Sequence, residues 1–445
     1  MRIWSTAVEM AQKTPPERNR YVDFLRAVSI TVVIVGHWLI ATAYYANGEL
    51  SFGALLKDQP QTHWLTWLFQ VMPIFFIVGG YAHGVSLESA KRKGLDYATW
   101  LASRLHRLVS PLLALIVAWA VIALVMKLVG AERDVIKFAS QAAIIPTWFL
   151  AIYIVVVMLA PGMYRLWERF GYLSVAVFAA MAGVVDYLFF ALGLEGLGFT
   201  NYFWVWLAIH QLGFAWRDGR LGSPAVLIAC SAAGLLALYL MTSLGPYPLA
   251  MVGSPDENLS NTLPPKATLL ALGLFQFGLL MAIETPMRRV LENVRLWAAA
   301  VLVNSMIMTV YLWHITVMVV VVGLLYLAGG LWLTTEPATA QWWLWRPVWI
   351  TFLIAVLVAV ALPLSVFERQ GRSADAKVPS TIRQVIGALL LCFGVALLAM
   401  FGYGGSPIPD LKIGSLELDV GAFVLVIAGA AISGLLPRFG KEGRS

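Results

Sequence analysis

The sequence predicts an all-α polytopic membrane protein with about 12 transmembrane helices and both termini in the cytoplasm. Of its 445 residues, 60% are hydrophobic and only 12% are charged, and the mean hydropathy is +0.79. Soluble globular domains carry about 25% charged residues. This composition excludes a soluble protein, so we expect a multi-pass protein of the cell membrane, embedded in the lipid bilayer.

Apolar runs of about 20 residues, long enough to cross a hydrocarbon core as a helix, recur along the whole chain. They cover residues 22–44, 64–86, 107–129, 143–162, 171–192, 200–216, 223–244, 267–285, 302–329, 347–367, 383–402 and 419–436. Most lysines and arginines fall on the predicted side of the membrane that also holds residues 1–21. The exceptions are Lys57, Lys127, Arg133, Lys137, Lys266, Arg346 and Lys412. Because cytoplasmic loops are enriched in lysine and arginine, this bias indicates cytoplasmic termini.

Several chemistries are disfavoured by the residue pattern. Cys230 and Cys392 both lie inside apolar runs, so we predict packing roles rather than a disulfide or a reactive thiol. The histidines are scattered without a closely spaced ligand pair, and we therefore expect no metal site. The net charge of +7 follows the predicted topology, so we expect no nucleic-acid partner.

The first span carries an arginine and a histidine, Arg26 and His37, inside a largely apolar stretch. They are 11 residues apart, about three helical turns, so they share a helix face with His37 about 16 Å further along the axis. His37 then lies roughly 22 Å into a ~30 Å hydrocarbon core. Hydrocarbon cannot solvate such groups, so an ionisable residue inside a span is by default a hypothesis of a functional site.

A series of motifs in register resembles the pattern of acyltransferase family 3, over about residues 18–369. They are Asp23-Phe-Leu-Arg26 with His37 after ten intervening residues, Phe75-Phe76 with Gly79-Gly80-Tyr81, Arg104-Leu-His-Arg107 before Pro111, Trp148-Phe-Leu150 and Tyr311-Leu-Trp-His314. The family is known for an Arg-X10-His motif in the first span and an Arg-X-X-Arg motif at the third. The resemblance implies a ten-helix transmembrane acyltransferase domain, here residues 1–369.

The chain continues beyond this domain. Residues 370–382 are polar and predict a cytoplasmic linker. Residues 383–445 hold two extra transmembrane helices and a short cytoplasmic tail. We interpret the two helices as a scaffold or as a contact between copies in an oligomer.

The resemblance implies transfer of an acyl group, acetyl by default, from cytoplasmic acyl-CoA to a hydroxyl of an extracytoplasmic envelope glycan or glycolipid. Guanidinium groups match phosphate oxygens bidentately, so we predict that Arg26, Arg104 and Arg107 bind the phosphates of acetyl-CoA or another acyl-CoA. Arg104 and Arg107 share a helix face, because they are three residues apart. Asp23 lies three residues before Arg26 and is expected to pair with it and to fix the position of its side chain. The alternative is that these arginines snorkel to lipid headgroups.

His37 is the predicted general base, because a desolvated imidazole stays neutral and accepts a proton from the acceptor hydroxyl. Asp186 and His314 lie at a similar depth. Asp186 either orients His37, as in catalytic triads, or serves as a structural carboxylate or ion-pair partner elsewhere. His314 falls in a family motif and is assigned a supporting site role. Trp148 and Tyr311 either wall the acyl tunnel, hydrogen-bond a reactant or pack in the core.

The leading alternative function is a proton-coupled transporter, in which the buried side chains of His37, Asp186, His210 and His314 relay protons or bind cargo. A third class is a purely structural or partner-binding membrane protein. The Arg-X-X-Arg pair and the helix face shared by Arg26 and His37 favour the enzyme, because a coenzyme needs them and a proton relay does not.

Overall fold

The computed structural model describes residues 2–15, 17–253, 259–369, 377–405, 411–413, 416–418 and 420–436. Two parts of the predicted organisation, residues 370–376 of the linker and the tail at 437–445, lie outside this range. The boundaries of the predicted domains stay a prediction.

The described chain is mainly helical and contains two small antiparallel pairs of strands. Its helices are α1 (Arg2–Gln12), α2 (Arg20–Ile40), α3 (Leu55–Asp58), α4 (Thr66–Phe69), α5 (Met72–Arg92), α6 (Tyr97–Leu128), α7 (Arg133–Ile144), α8 (Thr147–Phe170), α9 (Tyr172–Leu192), α10 (Asn201–Arg217), α11 (Pro224–Leu244), α12 (Thr268–Ala282), α13 (Glu284–Val290), α14 (Val294–Asn304), α15 (Ile307–Leu327), α16 (Ala340–Leu364), α17 (Val366–Arg369), α18 (Thr381–Phe401) and α19 (Gly421–Ile432). The strands are β1 (Ala41–Ala46), β2 (Glu49–Ala54), β3 (Leu411–Ile413) and β4 (Leu416–Leu418), and 3-10 turns cover Pro60–Leu65 and Glu195–Thr200.

Nine helical segments in the described ranges are long and apolar enough to cross a membrane, which confirms an all-α polytopic fold. The bent pair of α12 and α13, with 56° between them, makes ten if it is one span. The remaining predicted segments, 200–216 and 419–436, hold the shorter helices α10 and α19, of 17 and 12 residues. The count of 12 spans and the cytoplasmic termini stay predictions.

The chain divides into two compact units. The first comprises Met1–Ser89, Ala160–Ile307 and Gly329–Ile350, and the second comprises Ala90–Leu159, Met308–Ala328 and Thr351–Ser445. The short amphipathic helix α1 belongs to the first unit, where Ala11 packs in a cluster with Ala27 and Trp297. The Trp297 indole donates to the Thr14 hydroxyl at 2.9 Å, so the chain before α2 is anchored to α14.

A two-residue hairpin follows α2 in the first unit. β1 and β2 pair antiparallel through the register Ala46↔Glu49, and Asn47 and Gly48 form the turn with φ of 53° and 86°. Positive φ at both turn residues is the requirement of a type I′ turn, which Asn-Gly satisfies at little steric cost. The first predicted span extended to residue 44, so the helix ends earlier than predicted because its last residues pair as a strand.

The second unit contains α18 and α19, which pack on each other and on α6. The Tyr403 hydroxyl donates to the Ile116 carbonyl at 2.9 Å, and the Tyr403 amide donates to the Ser140 hydroxyl at 2.8 Å. The Gln384 amide donates to the Ala98 carbonyl at 3.0 Å. Both ends of α18 are therefore held by hydrogen bonds within this unit.

Helices α5 and α10 of the first unit touch backbone to backbone at two glycines. A Cβ on Gly213 would fall well inside contact distance of the Ile77 carbonyl oxygen, and one on Gly80 would collide with the His210 carbonyl. Beside this crossing, Phe76 and Trp206 stack with ring centroids 4.5 Å apart. Small residues that allow such close approach are typical of helix pairs in membranes.

We predict that Gly213→Ala destabilises the protein by about 1–3 kcal/mol, because the added methyl forces α5 and α10 apart. The matched control is Gly183→Ala in α9, where a Cβ would meet nothing within 4 Å. That control is expected to keep or raise stability, since alanine is the better helix former. Thermal unfolding in detergent measures both, and equal midpoints for the two variants would contradict this account of the crossing.

Candidate functional site

The predicted site residues fall in both units. Asp23, Arg26, His37 and Asp186 belong to the first unit, and Arg104, Arg107, Trp148, Tyr311 and His314 belong to the second.

Asp23 organises the start of α2. Its side chain is buried with 6% of the residue exposed, and the carboxylate accepts from Arg18 Nε at 2.6 Å and from Arg26 Nη1 at 3.4 Å. The ion pair with Arg26 that the i, i+3 spacing predicts is therefore present. The Asn304 amide donates to the Asp23 carbonyl at 2.8 Å and ties α14 to this turn. One carboxylate thus holds two guanidinium groups, and the end of the helix keeps a net positive charge.

Arg18 and Arg20 are additional cations at this end of α2 that the motif analysis did not single out. Asn19 caps the helix by accepting from the amides of Tyr21 and Val22. This cap places Arg20 at the first helical position, where its guanidinium donates to the Leu291 carbonyl at 3.1 Å and lies 5.6 Å from the centre of the Trp297 ring. The run Arg18-Asn-Arg20 was the feature of the sequence that could have indicated these two cations.

His37 lies in the last turn of α2, where its carbonyl accepts from the Ala41 amide. The buried face of the helix contains Ile30, Ile34 and Trp38 at i, i+4 and i+8, and Trp38 is fully buried. This packing sets the rotation of α2 about its axis and leaves His37 half-buried beside the buried face. The hairpin begins immediately after this turn.

Asp186 in α9 binds a different part of the first unit. Its carboxylate accepts from Asn201 Nδ2 at 2.8 Å, from the Tyr247 hydroxyl at 3.0 Å and from the Ala267 amide at 2.7 Å. These are its hydrogen-bond donors among the described residues, and His37 is not one of them. The contacts favour the structural alternative, in which Asp186 fastens α10 and the connection before α12 to α9.

Lys266 completes this cluster as a fully buried cation. Its ammonium lies 3.3 Å from the centre of the Phe189 ring. Burial lowers the pKa of the Lys266 ammonium, although the carboxylates of Asp186 and Glu195 oppose the shift. Burial, together with the Asp186 charge, raises the pKa of the Tyr247 hydroxyl, which therefore stays protonated and acts as a donor. The sequence predicted Lys266 only as a charge on the outer side of the membrane.

The buried histidine His210 pairs with a second histidine. Its Nε2 lies 2.9 Å from Nδ1 of His83, and 4% or less of either residue is exposed. The donor at this distance is the nitrogen that carries the proton, and both rings lie beside the glycine contact of α5 with α10. This pair was not predicted, because the two residues are far apart in the chain.

The Arg-X-X-Arg motif lies near the start of α6 in the second unit. The Asp96 carboxylate accepts from the Thr99 amide at 2.9 Å and caps the helix, which sets where its turns begin. Arg104 is half-buried and Arg107 is exposed. α17 packs on α6 and brings the Glu368 carboxylate under the electrostatic influence of Arg107.

Glu368 caps the helix that carries Tyr311 and His314. Its carboxylate accepts from the Met308 amide at 3.2 Å, from the Thr309 amide at 3.0 Å and from the Thr309 hydroxyl at 2.8 Å. A carboxylate at a helix N-terminus satisfies amides that have no partner within the helix. Sequence reasoning missed this role, because the two partners are about 60 residues apart.

Tyr311, His314 and Trp148 belong to a ring cluster of the second unit. The Tyr311 hydroxyl donates to the Pro146 carbonyl at 2.5 Å, and its ring meets Phe149 edge-on at 6.0 Å. Trp148 also meets Phe149 edge-on, at 6.4 Å. His314 is fully buried, and its Nδ1 lies 2.5 Å from the Tyr311 carbonyl oxygen. Because a carbonyl only accepts, Nδ1 carries the proton in this arrangement.

Glu368 generates a pH-dependent prediction. Burial raises the pKa of its carboxyl, and the bonds from Thr309 and Met308 and the charge of Arg107 only partly oppose this. The folded state therefore binds the proton more tightly than the unfolded state. The resulting stability is complete below the ordinary pKa of 4.5 and is lost as the pH rises through the raised value.

Glu368→Gln lacks this pH-dependent contribution to the stability of the folded state, because glutamine does not titrate. The thermal midpoint of the wild type should therefore fall relative to that of the variant as the pH rises from 4.5. Differential scanning fluorimetry across pH measures the difference. Glu292→Gln is the control, because Glu292 is exposed and its side chain makes no hydrogen bond with the described residues. A difference in thermal midpoint between the wild type and Glu368→Gln that stays constant with pH would contradict the raised pKa of Glu368.

Asp186→Asn separates a structural from a catalytic role. Loss of the charged acceptor should lower the free energy of unfolding by about 2–3 kcal/mol, because bonds to a charged group are the stronger ones. The folded fraction should keep the activity that the resemblance implies, measured as acyl transfer per folded molecule. His37→Gln is the comparison and should show the reverse pattern. An inactive Asp186→Asn of unchanged stability would restore the hypothesis that Asp186 orients His37.

A family model described as an acyltransferase domain matches residues 19–368. Comparisons with curated proteins and with solved structures gave no match. The matched region begins at the residue that caps α2 and ends at the glutamate that caps α15, so it contains all the predicted site residues and leaves out α18 and α19. It covers more than half of the chain. The chain therefore belongs to acyltransferase family 3, and it is a membrane acyltransferase.

Proposed function

We propose that this protein moves an acyl group, acetyl in the first instance, from cytoplasmic acyl-CoA to a hydroxyl of an extracytoplasmic envelope glycan or glycolipid. The observation that carries the proposal is the construction of α2. Arg26 lies near the start of the helix in an ion pair with buried Asp23, and His37 lies in its last turn. One helix thus combines a guanidinium group near its start with a titratable ring in its last turn.

The arginines are assigned to the acyl-CoA. Coenzyme A carries a 3′-phosphate and a pyrophosphate, and guanidinium groups bind such oxygens bidentately. In this proposal Arg26, Arg104 and Arg107 bind these phosphates. Asp23 is a positioning residue, since its pair with Arg26 restricts the guanidinium to one side of α2. The exposure of Arg107 supports this role, because its guanidinium is accessible to a ligand.

His37 is assigned as the general base. A ring nitrogen takes the proton from the acceptor hydroxyl while that oxygen attacks the thioester carbonyl carbon. The new ester C–O bond forms, the C–S bond breaks, and the proton on the imidazole returns to the departing coenzyme A sulfur. We propose transfer in one step without an acyl-enzyme, because no serine or cysteine pairs with a base in a recognisable motif.

Trp148 and Tyr311 are proposed to line the space for the acyl chain, and His314 is proposed to have a supporting role. The Tyr311 hydroxyl is already bonded to the Pro146 carbonyl, so its proposed contribution is shape rather than a hydrogen bond to the reactants. Asp186 has no role in the proposed mechanism, because its carboxylate accepts hydrogen bonds from residues that pack around α9.

We predict opposite kinetic defects for two variants. His37→Gln should lower kcat by about 100-fold or more with acyl-CoA binding retained, because general-base catalysis contributes at least that factor. Arg107→Ala should instead raise KM for acyl-CoA with a smaller effect on kcat, since it removes a contact to phosphate. The readouts are acyl-CoA binding to the purified protein, and acyl content of envelope glycans and lipids by mass spectrometry in cells that express each variant.

Arg295→Ala serves as the control for Arg107→Ala, because Arg295 is exposed on α14 and its guanidinium makes no hydrogen bond or ion pair with the described residues. The control should behave like the wild type. Full turnover by folded His37→Gln would remove the assignment of the base. Stabilisation by neither acetyl-CoA nor acetate, together with proton flux in liposomes, would instead support a transporter.

A further inference from the structure

The hairpin that follows His37 lines an open pocket in the first unit. β1, β2, α3 and the connection before α16 border an open volume of about 370 Å³. Its walls include Thr42, Tyr44, Ser51, Phe52, Asp58 and Glu336. Ligand pockets for small molecules typically measure about 300–1,000 Å³, so this volume suits one or two sugar-sized groups. Neither the family motifs nor the proposed mechanism uses any of these residues.

The pocket walls are held in place by contacts within the unit. The Tyr45 amide donates to the Leu333 carbonyl at 2.8 Å, which adds the connection before α16 to the edge of β1. The Tyr45 ring occupies the space beside Gly330, where any Cβ would collide with it. The two walls are therefore joined by backbone and by packing, and the pocket is preformed.

Thr42 supplies an unpartnered polar atom to this pocket. Only 5% of the residue is exposed, and its hydroxyl makes no hydrogen bond with the described part of the chain. Gly53 lies opposite it in the sheet register, and a Cβ there would come within 2.9 Å of the Thr42 hydroxyl oxygen. The absence of a side chain at Gly53 leaves this hydroxyl open to a hydrogen bond from a ligand.

The charge of the pocket restricts what it can bind. Asp58 and Glu336 are exposed carboxylates without an ion pair among the described residues, and no lysine or arginine lines the walls. An anionic ligand would meet two like charges. Carboxylates accept hydrogen bonds from hydroxyl and ammonium groups, and the hydroxyls of Thr42 and Ser51 both donate and accept. The rings of Tyr44 and Phe52 add apolar surface for the C–H faces of a sugar.

We propose that this pocket is the acceptor subsite, and that it selects neutral sugars or amino sugars and rejects anionic ones. Thr42 follows His37 by only five positions, and α2 runs directly into β1. The role as acceptor subsite rests on the proposed function, whereas sugar binding does not. Binding and transfer are therefore measured separately.

The binding test uses the full-length protein in detergent and three tetrasaccharides that differ in charge. The probes are the tetramers of N-acetylglucosamine (neutral), glucosamine (cationic) and galacturonic acid (anionic), measured by calorimetry or saturation-transfer NMR. The first two should bind and the third should not. Thr42→Val should weaken binding of the neutral tetramer about tenfold, the equivalent of one hydrogen bond.

Charge-neutralising variants give the decisive comparison. The double variant Asp58→Asn with Glu336→Gln should admit the galacturonic acid tetramer, while Glu49→Gln at the tip of the hairpin should not, because Glu49 is exposed outside the pocket. Equal binding of all three tetramers, or no effect of the pocket variants, overturns the proposal. Binding of Ca²⁺ without any sugar, lost in the double variant, overturns it in favour of a cation site.

The proposed function and the subsite fail in different ways. Acyl transfer with an unchanged KM for the acceptor in Thr42→Val and in the double variant would overturn the subsite and leave the function. Charge-selective sugar binding without acyl transfer would overturn the function and the acceptor role. A raised acceptor KM with unchanged acyl-CoA binding in the same variants supports both.

Discussion

The structure depends on one constraint, which is that a charge or an unpaired polar group removed from water must find a partner inside the protein. Three carboxylates meet this constraint in three ways. Asp23 holds two guanidinium groups, Asp186 accepts from three donors, and Glu368 caps the start of α15. Asp186 and Glu368 connect segments that are distant in the chain, whereas Asp23 pairs with arginines five and three positions away. The polar groups thus determine where the helices and their connections are fastened.

The same constraint separates functional candidates from structural ones. The Asp186 carboxylate already accepts hydrogen bonds from neighbouring residues, and the Lys266 ammonium lies against the Phe189 ring. Both residues therefore stabilise the packing of α9 and its neighbours. Arg107 is exposed and His37 is half-buried. Groups that remain accessible in this way can still bind a substrate. This is why the proposed mechanism assigns roles to these two residues and none to Asp186.

Helix α2 connects the two activities that the proposal requires. Its start is built from arginines held by Asp23, its last turn contains His37, and it continues into the hairpin that lines the pocket. The hairpin residues that would bind a substrate follow the proposed base closely in the sequence. Selection by charge would then act on the acceptor at the pocket, since Asp58 and Glu336 have no basic neighbour among the lining residues.

The sequence alone determined the multi-pass helical architecture, the family and the short-range pairs, because these depend on local hydrophobicity and on fixed helical spacing. The pair of Asp23 with Arg26 is an example, since i, i+3 residues lie side by side in any helix. The Asn47-Gly48 turn was also present in the sequence, but the apolar run that precedes it reads as a continuing helix. Only the tertiary structure decided the partners of Asp186, the cap that Glu368 places on α15 and the pairing of His83 with His210. These contacts join segments far apart in the chain, and nothing in local periodicity specifies which distant segments pack together.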